Sequence, residues 1–172
     1  MKKIATWLTA IVMCLATSLT INAQDQITLP KQFYGCTLGQ STNTKVKSAL
    51  ESQGLAPGDF GNSYYISNAK FEGIKFDLAL FECTDHNLTD YVFTGITFLK
   101  SDLSKKEAIK FGKNVHAALD KKYTLIKKTV DGLDCYFTSI DGRTLTLLVG
   151  KNANDDLYQV SLVIELGTAR LK

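Results

Sequence analysis

Apolar residues recur at two spacings along this chain of 172 residues, and each change of spacing marks an element. Val46, Ala49 and Leu50 stand at i, i+3 and i+4 behind the helix-starting cluster Ser41-Thr42-Asn43, and Gly54 supplies a stop. That spacing predicts a short amphipathic helix over 43–53. The run Y-Y-I-S-N-A-K-F (64–71) is strand-like, Glu72-Gly73 can turn the chain, and Ile74, Phe76, Leu78 and Leu80 then fall on one face at period two. C-T-D-H-N-L-T-D (83–90) is a polar loop, and Y-V-F-T-G-I-T-F-L (91–99), rich in aromatic and β-branched residues, is a further strand. A second helix opens on Ser104-Lys105-Lys106-Glu107, the form of a capping box. Ala108, Phe111, Val115, Ala118 and Leu119 mark its buried face over 104–122. Strands are predicted at 123–130, 133–140, 143–150 and 157–166. Asp131-Gly132 and Asp141-Gly142 are hairpin signals, and N-A-N-D-D makes the last turn.

One phrase occurs twice. K-F-E-G-I-K-F-D-L-A-L-F-E (70–82) and T-V-D-G-L-D-C-Y-F-T-S-I-D (129–141) share the order apolar, acid, Gly, apolar, then an alternating run closed by an acid. Each follows a predicted helix. The expected fold is α+β: a two-layer sandwich, with an antiparallel sheet carrying both helices on one face, built as a tandem α-β(3-4) repeat. Its units are 33–100 and 101–172, within a single domain over 24–172.

The N-terminus changes the accounting of charge and length. Lys2 and Lys3, the apolar stretch Ile4–Leu19 and the small Ala23 form a secretory signal peptide over 1–23. The apolar part is short for a membrane span, and Met13 before Cys14 is too bulky for lipoprotein processing. Of 20 Lys+Arg against 17 Asp+Glu, two lysines lie in the leader, leaving 18 against 17. A near-neutral chain lacks the basic excess of a nucleic-acid binder. The 149 residues that remain of 172 after the first 23 suffice for one core. The expected location is periplasmic or secreted.

Three cysteines remain: Cys36, Cys83 and Cys135. In an oxidising compartment Cys36 and Cys83, both at element boundaries, are the candidate disulfide, with Cys135 as a small core residue. Three unpaired thiols are the alternative.

Phe33 to Leu50, F-Y-G-C-T-L-G-Q-S-T-N-T-K-V-K-S-A-L, followed by E-S-Q-G, resembles the opening of small secreted α/β proteins of Gram-negative bacteria. Among these, the helix-then-antiparallel-strands layout is similar to the β-lactamase-inhibitor proteins and to the SmpA/OmlA outer-membrane assembly lipoproteins. The resemblance implies a protein-binding role on a small, sometimes duplicated, α/β sandwich.

Catalytic patterns are sparse. His86 and His116 are the only histidines, too few and too far apart for a zinc site. A cysteine hydrolase using Cys36 or Cys83 with His116 needs the base beside the thiol. Ser67-Asn68-Ala69-Lys70 spells S-x-x-K, but in a strand pattern rather than at a helix start. Gly35 and Gly39 lack the lysine of a phosphate loop. Asn87-Leu88-Thr89 is a glycosylation sequon in form only. Asp155-Asp156 reads as a solvated turn, and Lys106, Lys110 and Lys113 as a solvated helix face. No catalytic, cofactor or metal residue is assigned.

The predicted sheet carries aromatics on its second face. With Ile74, Phe76, Leu78, Leu133 and Phe137 towards the helices, Phe81, Tyr136 and Ile140 point away, together with Tyr91 and Phe93. Unless the N-terminal segment or the loop 54–63 covers them, these five form an interaction face. The expected function is a non-catalytic binding or assembly module that engages a protein partner of the cell envelope or exterior. An apolar-ligand carrier, with its ligand between the sheet and 54–63, is the alternative.

Overall fold

A computed structural model describes residues 28–85, 91–130, 133–152 and 156–167. The expected signal peptide at 1–23, His86, the sequon at 87–89, the expected turn at Asp131-Gly132, the Leu133 side chain and Asp155 lie outside the described residues.

The first helix, α1 (Asn43–Ser52), starts where Thr42 Oγ1 accepts from the Lys45 amide at 3.4 Å, and stops before Gly54, whose φ is +73°. The second, α2 (Lys105–Tyr123), carries the expected capping box: Ser104 Oγ accepts from the Glu107 amide, and Glu107 Oε2 accepts from the Ser104 amide at 2.9 Å. Each cap satisfies backbone donors that a helix start leaves orphaned.

The strands are β1 (Gln32–Phe33), β2 (Cys36–Thr37), β3 (Gly58–Phe60), β4 (Ser63–Ser67), β5 (Lys70–Phe71), β6 (Ile74–Lys75), β7 (Leu78–Asp85), β8 (Tyr91–Leu103), β9 (Ile126–Val130), β10 (Leu133–Ile140), β11 (Arg143–Lys151) and β12 (Tyr158–Leu166). Eight of them form one antiparallel sheet in the order β3-β4-β7-β8-β12-β11-β10-β9, while β1-β2 and β5-β6 are separate hairpins. The turns Glu72-Gly73 and Asp141-Gly142 have positive φ at both residues, as two-residue hairpin turns require. The architecture is α+β, with a large antiparallel sheet and two helices.

Both helices meet the same face. Tyr34, whose carbonyl accepts from Gln53 beside α1, sets its ring 5.7 Å from Phe81 of β7. Phe81 pairs with Ile96 of β8, and Ala79 with Phe98. Phe98 stacks on Phe76, which meets Phe111 of α2 edge-on at 5.6 Å. Across the second half, His116 of α2 lies 4.1 Å from the Tyr136 ring. Gly112 brings α2 close to β11, since a Cβ there would come within 2.4 Å of Val149 Cγ2. The β1-β2 hairpin joins this side, with Phe33 6.1 Å from Phe71 and 6.4 Å from Phe93.

This arrangement inverts the expected faces. Phe81 and Phe93 are fully buried under α1 and the N-terminal hairpin, while Tyr91, Tyr136 and Ile140 pack against that same core. None of the five forms the helix-free face. Three local features cause the inversion. The chain does not run straight from Ile74 to Leu80: Ile74-Lys75 folds back onto Lys70-Phe71, and the irregular step at Phe76-Asp77 moves the buried positions of β7 to odd numbers. In β8 a bulge opposite Glu82/Cys83 shifts the alternation, so that Phe93, Ile96 and Phe98 are all buried. In β10 the register pairs Tyr136 with Leu147 and Thr138 with Leu145, both partners buried against the helices, which sends Cys135 and Phe137 to the other side.

Candidate functional site

The helix-free face follows from the register. Successive cross-strand pairs link Gly58–Tyr65, Tyr65–Leu80, Leu80–Thr97, Thr97–Val163, Val163–Thr146, Thr146–Phe137 and Phe137–Ile126. This row crosses all eight strands. Alternation along each strand puts it opposite Phe81, Ile96, Leu147 and Tyr136. Tyr65 and Ile126, near the two ends, are each 39 % exposed, and Phe60 on the edge strand is 64 % exposed. Leu80, Thr97, Val163 and Phe137 between them are half-buried, packed by their cross-strand neighbours. The Tyr65 ring lies directly over Gly58, where any Cβ would fall 2.2 Å from the ring. A neighbouring row runs Leu78–Leu99–Ser161–Leu148–Cys135.

Two carboxylates interrupt this apolar surface. Glu82 and Glu165 both pair with Gly95, and a Cβ on Gly95 would stand 3.6 Å from Glu82 Oε2 and 3.4 Å from Glu165 Cβ. Thr97 donates to Glu82 at 2.7 Å. Burial, with the nearby Glu82 charge, raises the Glu165 pKa above the ordinary glutamate value. The centre of the face is thus an acid pair flanked by Leu80 and Val163.

Cys36, Cys83 and Cys135 are all buried, and each is a free thiol in this structure, the alternative to the expected 36–83 pair. The Cys36 and Cys83 thiols are turned to carbonyls of their own segments, Tyr34 O at 3.6 Å and Phe81 O at 3.9 Å. Burial, then the nearby Cys36 and Glu82, pushes the Cys83 thiol up to about 12, and burial raises Cys36 as well. Such thiols are protonated at neutral pH. His116, stacked on Tyr136 of β10, stands four strand positions from β7, about 19 Å at the usual spacing, and is no base for Cys83. Cys135 is buried as expected, but on the helix-free side opposite Leu148.

Elsewhere, Lys106, Lys110 and Lys113 form an exposed helix face, and Asp156 pairs with Lys151 at 2.7 Å. Ser67 and Lys70 belong to strands β4 and β5, so S-x-x-K does not open a helix. The segment 54–63 contributes the edge strand β3 rather than a cover. Among the described residues there is no group of three or more His, Cys, Asp or Glu able to hold a metal, and no helix long and apolar enough to cross a membrane. The sequence missed the row from Tyr65 to Ile126 because strands such as β7, β8 and β10 carry apolar residues on both faces. The only available signal was the Tyr65/Gly58 pairing, which the predicted loop at 54–63 concealed. Comparison of the chain with protein-family models, with curated proteins and with solved structures gave no match.

Proposed function

We propose that this chain is a secreted or periplasmic, non-catalytic binding module that holds a protein partner against the helix-free face of its sheet. The observation that carries this is the Tyr65–Leu80–Val163–Phe137–Ile126 row: apolar and aromatic groups from five of the eight strands, on the face the helices leave alone. A sheet covered on one side ordinarily turns polar residues to water on the other. A broad apolar face rimmed by Ser63, Ser67, Ser139 and Lys128 suits a protein surface better than a small ligand. Tyr65 and Phe137 are the anchor residues in this assignment, being large, partly exposed and set on regular strands.

The same face supports a two-layer sandwich built by duplication. Each half supplies a helix followed by four strands of the sheet, β3-β4-β7-β8 and β9-β10-β11-β12, and the two last strands, β8 and β12, join at the centre. Two copies of one unit related by a two-fold axis give such an order, and it agrees with the resemblance to duplicated protein-binding sandwiches.

The test places a photo-crosslinking amino acid at Tyr65 or Phe137 in one set of cells and at Ile109, exposed on α2, in another. A defined adduct from the two sheet positions, absent from Ile109, is the expected result. Equal adducts from Ile109, or none from either sheet position, would remove the proposal.

A further inference from the structure

A cleft of about 300 Å³ opens where the chain leaves β4, away from the helix-free row, and Asn68, Lys70, Lys75, Phe76, Asp77 and Lys100 line it. Its charge is uneven. Lys100 is ion-paired with Asp77, whose second oxygen accepts from the Ser101 amide at 2.9 Å. Lys70 and Lys75 are directly opposed on the β5-β6 hairpin, and neither ammonium has an ion-pair partner among the described residues. Three lysines less one aspartate leave the cleft with two positive charges. Like charges facing each other across a strand pair cost stability. The hairpin that opposes them is held from three sides. Phe71 stacks 5.2 Å from Phe98, the Glu72 carboxylate accepts from Lys122 and Tyr123 of α2, and Tyr34 Oη accepts from the Lys70 amide at 3.0 Å. Asn68, at φ +56°, adds a carboxamide with no partner among the described residues. Phe76, almost fully buried, closes the floor.

We propose that this cleft is an anion site for a phosphate group, with Lys70 and Lys75 as its charged jaws and the Asn68 carboxamide as a neutral donor. Phosphate fits better than carboxylate because a phosphate monoester carries close to two negative charges at neutral pH, matching the excess in the cleft. Lysine binds such groups as a compact point charge and needs no bidentate geometry. Asp77, held by Lys100 and Ser101, fixes the Lys100 ammonium at the rim and bars a larger polyanion by its own charge. The site is independent of the sheet face, and either can exist without the other.

The experiment follows backbone amide shifts of the purified protein in NMR titrations at low ionic strength. One arm uses inorganic phosphate, and a second uses vesicles of phosphatidylcholine with and without phosphatidylglycerol. Saturable phosphate shifts confined to Asn68–Asp77 and Lys100–Ser101, weakened about tenfold in Lys70→Gln/Lys75→Gln and unchanged in Lys106→Gln/Lys110→Gln, support the proposal. Binding to phosphatidylglycerol vesicles through the same lysines would identify the phosphate as a lipid headgroup, whereas binding to inorganic phosphate alone identifies a soluble ligand. Shifts spread over Lys106, Lys110 and Lys113, or unaltered by the Lys70/Lys75 exchange, would overturn it.

Discussion

The Tyr123 hydroxyl donates to the Glu72 carboxylate at 2.9 Å, tying the last turn of α2 to the tip of a hairpin 51 residues earlier. Lys122 reaches the same oxygen at 2.6 Å. Glu72 also occupies a positive-φ turn position, φ +48°, so one residue makes both the turn and the anchor. Removing the hydroxyl in Tyr123→Phe is expected to cost about 1 kcal/mol in urea unfolding, in the range of a single hydrogen bond discounted for the part-exposed carboxylate.

The pH dependence of that anchor has a definite sign. The Lys122 hydrogen bond holds the Glu72 pKa below the ordinary glutamate value, against the opposing effect of burial, with help from Tyr123. A depressed folded-state pKa gives stability that is present above the unfolded value and is lost as pH falls through the folded one. Glu72→Gln should therefore flatten the acid limb of a stability–pH curve, measured by denaturant midpoint. An unchanged acid limb would show that the hydrogen bonds do not act as described.

Glu165 is expected to act in the opposite direction. Burial and Glu82 raise its pKa, so the folded state holds its proton more tightly than the unfolded state does. Stability is then greatest below the unfolded glutamate value and falls as pH rises through the folded one. Glu165→Gln should raise stability at neutral pH and remove that decline, as read from melting temperatures over the weakly acid range.

Gly112 sets how closely α2 approaches β11. Gly112→Ala puts a methyl 2.4 Å from Val149 Cγ2 and should destabilise by roughly 1–3 kcal/mol despite the better helix propensity of alanine. Val149→Ala in the same chain should recover part of the loss. A double-mutant cycle showing no coupling would contradict the contact.

Thiol chemistry provides a further check. With Cys36, Cys83 and Cys135 buried and the Cys83 thiol near 12, a thiol-specific disulfide reagent should label none of them in the native protein at neutral pH. All three should react promptly in denaturant. Two thiols missing from the denatured count would instead reveal a 36–83 bridge.

Much of the fold was legible along the chain because its signals are local. Thr42 and Ser104 cap their helices through side-chain bonds three residues away, so both helices fall within one residue of the expected limits. Glu72-Gly73 and Asp141-Gly142 turn where the acid-Gly pairs stand, because the turn needs only the two residues within it. The edge strand β3 and the miniature β5-β6 hairpin were not legible, since their short pairings gain their stability from Tyr65, Phe98 and α2, all distant in sequence or outside the local pattern.

By itself the sequence determined both helices, most of the long strands, the turns at Glu72-Gly73 and Asp141-Gly142, and that the fold is α+β with an antiparallel sheet. Tertiary structure alone decided which face of each strand is buried. Strands β7, β8 and β10 carry apolar groups at both odd and even positions, so alternation by itself is degenerate. The degeneracy is broken by a kink at Phe76-Asp77, a bulge beside Gly95 and the pairing of Tyr136 with Leu147, and a shift of one residue at any of these exchanges the two faces. The same shifts move Phe81, Phe93 and Tyr136 beneath the helices and leave Tyr65, Phe137 and Ile126 for the face that remains open.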